Sequence, residues 1–184
     1  MALNPYAVFM ATGGHTFVPP IKGVDQVHYL TTDDALADGY HEEGKKVVVA
    51  GGGMTGIEIA ENYALMGNEV TVVEMQEQLA PEANYDSKVT VLKNFEKYGV
   101  KVLTSHAIEE LREDKVITKN MKTGEQVEAE ADIIVLSLGK RPERALGEKL
   151  KELYEKVYFV GDTRECGRIA NAVHTGYQAA YVLE

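Results

Sequence analysis

Residues 46–58 read Lys-Val-Val-Val-Ala-Gly-Gly-Gly-Met-Thr-Gly-Ile-Glu. The opening run, Lys46–Ala50, is short, apolar and rich in β-branched valine, as befits a strand buried on both faces. A glycine cluster ends it. Helical periodicity then begins at about Thr55 and continues to Met66, where Gly67 supplies a stop. Strand, Gly51-Gly52-Gly53-Met54-Thr55-Gly56, helix is the context that a dinucleotide-binding turn requires. Gly51 permits the tight turn after the strand, Gly53 lets a pyrophosphate approach the backbone, and Gly56 lets the helix pack closely on the strand. Gly52, Met54 and Thr55 complete the phosphate-binding stretch. The helix start presents backbone N–H groups and the positive end of its dipole to the phosphates.

Working outward, Val70–Val73 reads as the next strand and is followed by Glu74, about 20 residues beyond Gly51. A carboxylate there accepts hydrogen bonds from the adenosine ribose, so the sequence predicts an NAD(H) site. A methyltransferase cofactor site has a similar glycine turn and acid. It does not account for the motifs at Ala11–Gly13 and Gly161-Asp162.

The remaining pattern alternates strands and helices, which predicts an α/β fold. It is a Rossmann-like parallel sheet with helices on both faces. Strands are expected at Tyr6–Ala11, Val100–Leu103, Asp132–Ser137 and Val157–Val160. A helix is expected at Ser87–Tyr98, ended by Gly99. Between residues 108 and 131 the helical period is lost, and three short strands predict a small antiparallel meander. Residues 144–156 read as a charged surface helix. The last helix carries Ile169, Ala172, Val173, Gly176, Tyr177 and Ala180 at helical spacing, which predicts a core-facing stripe.

Net charge is −10, with the two signs interspersed and no Lys/Arg-rich tract. That argues against nucleic acid and anionic membranes as partners. No apolar run approaches the roughly 20 residues that span a bilayer, and residues 1–5 lack the pattern of a signal peptide. Cys166 is the single cysteine, which excludes an intrachain disulfide and fits a reducing, cytoplasmic setting. Arg164 and Arg168 flank it and could favour its thiolate, although a partly buried, unreactive thiol is the plainer expectation. His15, His28, His41, His106 and His174 show no metal-ligand spacing, so no metal site is expected.

Four motifs in order, Ala11-Thr12-Gly13, Gly51 to Ala60, a strand ending at Gly139, and Gly161-Asp162, resemble the two-dinucleotide-domain flavoprotein disulfide reductase superfamily. The tail from Val157 to Ala172 is most similar to the reductase half of enoate reductase and dienoyl-CoA reductase-type NADH:flavin oxidoreductases. The resemblance implies an FAD domain interrupted by an NAD(H) domain. Residues 1–40 and 143–184 would be pieces of a truncated FAD domain, the latter including a linker helix, and residues 41–142 the NAD(H) domain. NADH would pass hydride to FAD, and a barrel with FMN and an iron–sulfur cluster could lie upstream. Partners would be NADH and the remainder of its own polypeptide.

By the same resemblance, Glu58 would lie toward the nicotinamide, although it also suits the helix dipole. Gly139 would lie against NADH, or simply turn the chain after its strand. Thr12, Gly13 and Asp162 would sit at the FAD, yet would be idle in a fragment lacking the first FAD glycine turn. Leu183-Glu184 resembles a vector scar. The cofactors carry the chemistry in such enzymes, so no catalytic side chain is expected, and this segment alone would be inactive. An ADP-type, non-catalytic site, as in trimethylamine dehydrogenase-like proteins, fits the glycine turn and Glu74 equally. A purely structural docking role is the third possibility.

Overall fold

The computed structural model describes residues 4–37 and 42–183. His41, Glu184, residues 1–3 and the expected 40/41 boundary therefore lie outside the described residues. The chain forms two compact units, one of residues 18–138 and the other of the flanking stretches up to Phe17 and from Gly139 onward. The outer unit begins with β1 (Val8–Met10) and β2 (Gly14–Thr16), whose partners come from the far end of the chain.

In the central unit, β3 (Leu30–Thr31) leads into the one-turn α1 (Thr32–Ala35), which Thr31 and Asp34 close with a reciprocal capping box. Next come β4 (Lys46–Ala50), α2 (Met54–Leu65), β5 (Glu69–Val73), α3 (Tyr85–Tyr98) and β6 (Lys101–Leu103). Asn84 caps α3, accepting from the Asp86 N–H, and Gly99 ends it in the left-handed region at φ 72°. A meander of β7 (His106–Arg112), β8 (Lys115–Asn120) and β9 (Gln126–Glu130) precedes β10 (Ile133–Leu136). The five-stranded parallel sheet has the order β3-β10-β4-β5-β6.

Alternate residues of β4 serve two cores. Val47 and Val49 join Val70, Val72 and Val135 beneath α2 and α3, with Ile57, Ile59 and Phe95. Val48 and Ala50 join Val73, Leu136, Leu111 and Val116 on the other side. Each fully buried valine stabilises the unit by about 1.5–3 kcal/mol. The sequence predicts helices on both faces, whereas here α2 and α3 share one core and the β7–β9 meander takes the other. Right-handed crossovers explain this. The steps β4 to β5 to β6 run one way and place their helices on one face. The return from β6 to β10 runs the opposite way, so its connection must cross the opposite face, and that connection is the meander.

The outer unit resumes with β11 (Lys140–Pro142), antiparallel to β2, then α4 (Ala145–Lys151) and β12 (Val157–Phe159), parallel to β1. A single turn at Gly161–Thr163 leads to α5 (Ile169–Tyr181). α4 is shorter than predicted and not merely a solvated helix. Gly147 is buried, and a Cβ there would stand 2.7 Å from Phe159 Cζ and 3.1 Å from Met10 Cγ.

The predicted core-facing stripe of α5 is the main correction. Ile169, Val173, Tyr177 and Ala180 are exposed, and no residue of α5 is buried. The face that packs carries Ala172, Thr175, Gly176 and Ala179, and Thr175 Oγ1 accepts from the Gly161 N–H at 2.8 Å. Periodicity identifies an apolar face but not what covers it. The described strands of this unit form only two two-stranded ladders, too little sheet to cover a 13-residue helix.

Candidate functional site

β4 ends where the sheet order reverses, with β5 on one side of it and β10 on the other. Ligands of open α/β sheets bind at such a switch point, beyond the carboxyl ends of the strands. Gly51 sits there with φ +107°, and its N–H donates to the Val73 carbonyl at 2.8 Å. A Cβ on Gly51 would overlap the Ser137 carbonyl, 2.8 Å from its carbon. At Gly56 a Cβ would overlap the Gly51 carbonyl oxygen and lie 3.0 Å from its carbon. Both glycines are thus demanded by the packing of α2 and β10 around the turn. A Cβ on Gly52 would meet the Leu79 side chain and come within 2.9 Å of Glu74 Cβ.

Gly53 differs. The nearest atom to its hypothetical Cβ is Glu82 Oε1, 3.9 Å away, and its φ of −66° suits any residue. The fold itself does not ask for glycine there, so the turn keeps an open space in front of Gly53. Gly53 is also the N-cap of α2 and provides no side-chain cap, and the first turn holds no acidic residue. The positive end of a 12-residue helix therefore faces that space without a local carboxylate on the helix itself. Met54 is half-buried and Thr55 exposed. Glu58 is exposed and lies one residue beyond the first turn. This weakens its explanation as a dipole partner, because that effect fades within the first turn.

Glu74 leaves β5 with its backbone tied on two sides, its N–H donating to Leu103 and its carbonyl accepting from His106, both at 2.9 Å. Its carboxylate bridges the site. Oε2 accepts from the Gly52 N–H at 2.6 Å and Oε1 from the Gln76 N–H at 2.7 Å. Each oxygen keeps a further lone pair for a ligand hydroxyl. The Gly52 carbonyl is held too, accepting from the Ala80 N–H at 2.7 Å. Ala80 is fully buried with φ +37°, an uncommon conformation for a residue with a Cβ. So the peptide units around Gly52 are clamped by two residues from the segment after β5. Sequence reasoning missed Ala80, and only its place before Pro81 hinted at an unusual turn.

Beside Glu74 opens a cleft of about 460 Å³, lined among others by Pro19, Ile21, Met75, His106, Ile108 and Leu138. Its size and mainly apolar walls suit a flat heterocycle.

The other predicted residues lie in the outer unit. Thr12 and Gly13 gather around the fully buried Thr163, which sequence reasoning also missed. The Gly13 N–H donates to Thr163 Oγ1 at 2.8 Å, and the Thr12 and Thr163 hydroxyls are 3.3 Å apart. Asp162 Oδ1 accepts from the Gly167 N–H at 3.1 Å. Gly13 and Asp162 line a cleft of about 310 Å³ together with Gly161 and Arg168. Gly139 has φ +98°, which calls for glycine, and its carbonyl accepts from the Phe17 N–H at 2.9 Å. Cys166 is half-buried, and its thiol donates to the Asp162 carbonyl at 3.6 Å. Burial, and then the Asp162 charge, push that thiol up from its ordinary pKa. The flanking arginines therefore do not produce a thiolate. No metal-holding group of His, Cys, Asp or Glu occurs among the described residues, and no described helix is long and apolar enough to cross a membrane.

Residues 4–179 match the family described as pyridine nucleotide-disulphide oxidoreductase. The chain is 38% identical over its full length to a bilirubin reductase of Mediterraneibacter gnavus, of which it covers 28%. It is 32% identical over 99% of its length to an NADH oxidase of Thermoanaerobacter brockii, again covering 28% of that protein. A solved 2-naphthoyl-CoA reductase superposes with a TM-score of 0.82 at 30% identity, over 95% of this chain and 26% of the reductase. A thioredoxin reductase of T. acidophilum shares the fold, with a TM-score of 0.76 at 22% identity over 96% of this chain and 64% of that one. The chain thus spans little more than a quarter of the length of the curated relatives it matches first.

Proposed function

The chain belongs to the pyridine nucleotide-disulphide oxidoreductase family, and from that premise we propose that its central unit is the NADH-binding module of a flavin-dependent oxidoreductase. The observation that carries this is the open space before Gly53, between a helix start to which the N-cap residue gives no side-chain bond and the clamped Gly52. A pyrophosphate fits it, because a dianion gains backbone N–H donors and the helix dipole there. Backbone N–H groups from Gly53 to Gly56, with Met54 and Thr55 opening α2, hold the phosphates, and Gly51 and Gly52, whose own N–H groups bond to Val73 and Glu74, shape the turn beneath them. Glu74 accepts from the ribose hydroxyls, and the apolar cleft beside it takes the adenine. Glu58 lies toward the nicotinamide. When bound, the nicotinamide supplies hydride for a flavin. The chain's own residues contribute binding, orientation and exclusion of water.

The outer unit is proposed as part of the flavin-binding domain, with Thr12, Gly13 and Asp162 beside the flavin. Asp162 would offer a carboxylate to hydroxyls, and Gly13 a backbone without a side chain. Any FMN or iron–sulfur site belongs to the rest of a longer polypeptide, since a lone Cys166 cannot ligate a cluster. That the T. brockii relative is an NADH oxidase supports NADH as the ligand.

A second reading has one specific observation in its favour. The clamped Gly52, Glu74 and the cleft would all serve the ADP half of a dinucleotide. A non-catalytic ADP site would need no more. Titrating ADP and NADH into the chain separates the two. The NADH reading expects NADH to bind several-fold more tightly, by roughly 1 kcal/mol for one or two additional hydrogen bonds. Equal affinities would transfer the assignment to ADP.

A further inference from the structure

We infer that His106 is a specificity-determining residue that reads the exocyclic amino group of adenine. This rests on the reading that NADH binds at the Gly51–Gly56 turn. His106 opens β7, is nine-tenths buried and lines the cleft that also contains Glu74, Met75 and Ile21. Its N–H donates to the Glu74 carbonyl at 2.9 Å, so the residue is tied to the very position assigned to the ribose.

The tautomer of the neutral ring follows from its partner. Nδ1 lies 2.7 Å from the Thr104 carbonyl oxygen. A carbonyl only accepts, so Nδ1 carries the hydrogen, and Nε2 of the neutral ring is left as an acceptor. The ring makes no other hydrogen bond among the described residues, and Nε2 is not sealed from solvent. The corner that aims the ring is fixed on both sides. Ser105 adopts φ +57°, its N–H donates to the Gln76 carbonyl at 2.8 Å, and its carbonyl accepts from the Met121 N–H at 2.7 Å. Non-glycine residues held in this conformation cluster at ligand clamps.

A fixed lone pair in a mainly apolar cleft selects a donor. Adenine offers an amino group at its six-position. Hypoxanthine and guanine carry a carbonyl there, which would set lone pair against lone pair. A site built to accept a hydrogen bond discriminates strongly against a ligand that cannot donate one.

The test titrates NADH and its hypoxanthine analogue into the wild-type chain and His106→Phe. The wild type is expected to prefer NADH by at least about tenfold, or about 1.4 kcal/mol, and His106→Phe to lose most of that preference. Should His106→Phe melt too low to titrate, nitrogen NMR of the wild-type ring replaces it. The Nε2 resonance should then move on adding NADH and stay in place with the analogue. Equal wild-type affinities, undiminished preference in His106→Phe, or an Nε2 signal indifferent to NADH would each overturn the inference while leaving the nucleotide site intact. Failure of both dinucleotides to bind would overturn the site itself, and the inference with it.

Discussion

Gly56→Ala is expected to destabilise the central unit by about 3 kcal/mol or more, beyond the usual 1–3 kcal/mol of an overpacked core. The new methyl would overlap the Gly51 carbonyl and press on Ser137 Oγ, 3.2 Å away. Neither Gly51 atom belongs to a flexible side chain that could yield. Gly51 is itself pinned by its bond to Val73 and by the proximity of Ser137. Relief must therefore lift α2 off the sheet, and Ile57, Ile59 and Ala60 lie in the core just beyond. For a chain of this size the melting temperature should fall by roughly 6–12 °C, at about 2–4 °C per kcal/mol. A melt followed by circular dichroism reads this directly. A shift of only about 1 °C would mean that α2 does not pack on Gly51 as described.

NADPH should bind at least about tenfold more weakly than NADH, one decade being 1.4 kcal/mol. Its 2′-phosphate would meet the Glu74 carboxylate. Two like charges about 4 Å apart repel by about 4 kcal/mol at an effective dielectric of 20. Solvent reduces this to roughly 1–3 kcal/mol, and the lost ribose hydrogen bond adds about 1 more. Glu74 cannot step aside cheaply, because its two oxygens hold the Gly52 and Gln76 N–H groups. The residues that follow, Met75, Gln76 and Glu77, offer no positive charge, and Lys122 is already engaged by Glu77 at 2.7 Å. Glu74→Arg should weaken NADH and narrow or reverse the gap. Equal affinities of the wild type for both dinucleotides, measured by calorimetry, would remove Glu74 from the ribose.

Local chemistry made the heart of this fold legible in the sequence. Valines 47–49 and the glycines at 51 and 56 answer needs of the strand and of the turn that follows it, and β4, α2, β5 and the meander lie within a residue or two of their expected places. What the sequence hid depends on distant partners. The meander takes a face expected to carry helices because of crossover handedness, which no window of residues encodes. Thr163 gathers Thr12 and Gly13 from about 150 positions away. His106 looked like one scattered histidine until Thr104 fixed its ring and Glu74 its place. Ala80 carries no turn signature of its own, yet it holds the carbonyl of Gly52. The α5 stripe misled for the converse reason, since an apolar period predicts burial only where something is there to cover it.

The most direct measurement is a calorimetric titration of NADH into the wild-type chain and Gly53→Val, with the melting temperature of each recorded alone. The new side chain at residue 53 has room in the fold, with nothing nearer to its Cβ than 3.9 Å, but would stand where the proposed site needs the pyrophosphate. The account predicts micromolar binding to the wild type and stabilisation of about 4 kcal/mol at 1,000-fold excess ligand over Kd. It also predicts a Gly53→Val chain that melts like the wild type yet binds NADH at least about a hundredfold more weakly, or about 2.8 kcal/mol. A wild-type chain that ignores NADH, or a Gly53→Val chain that binds it just as well, would contradict it.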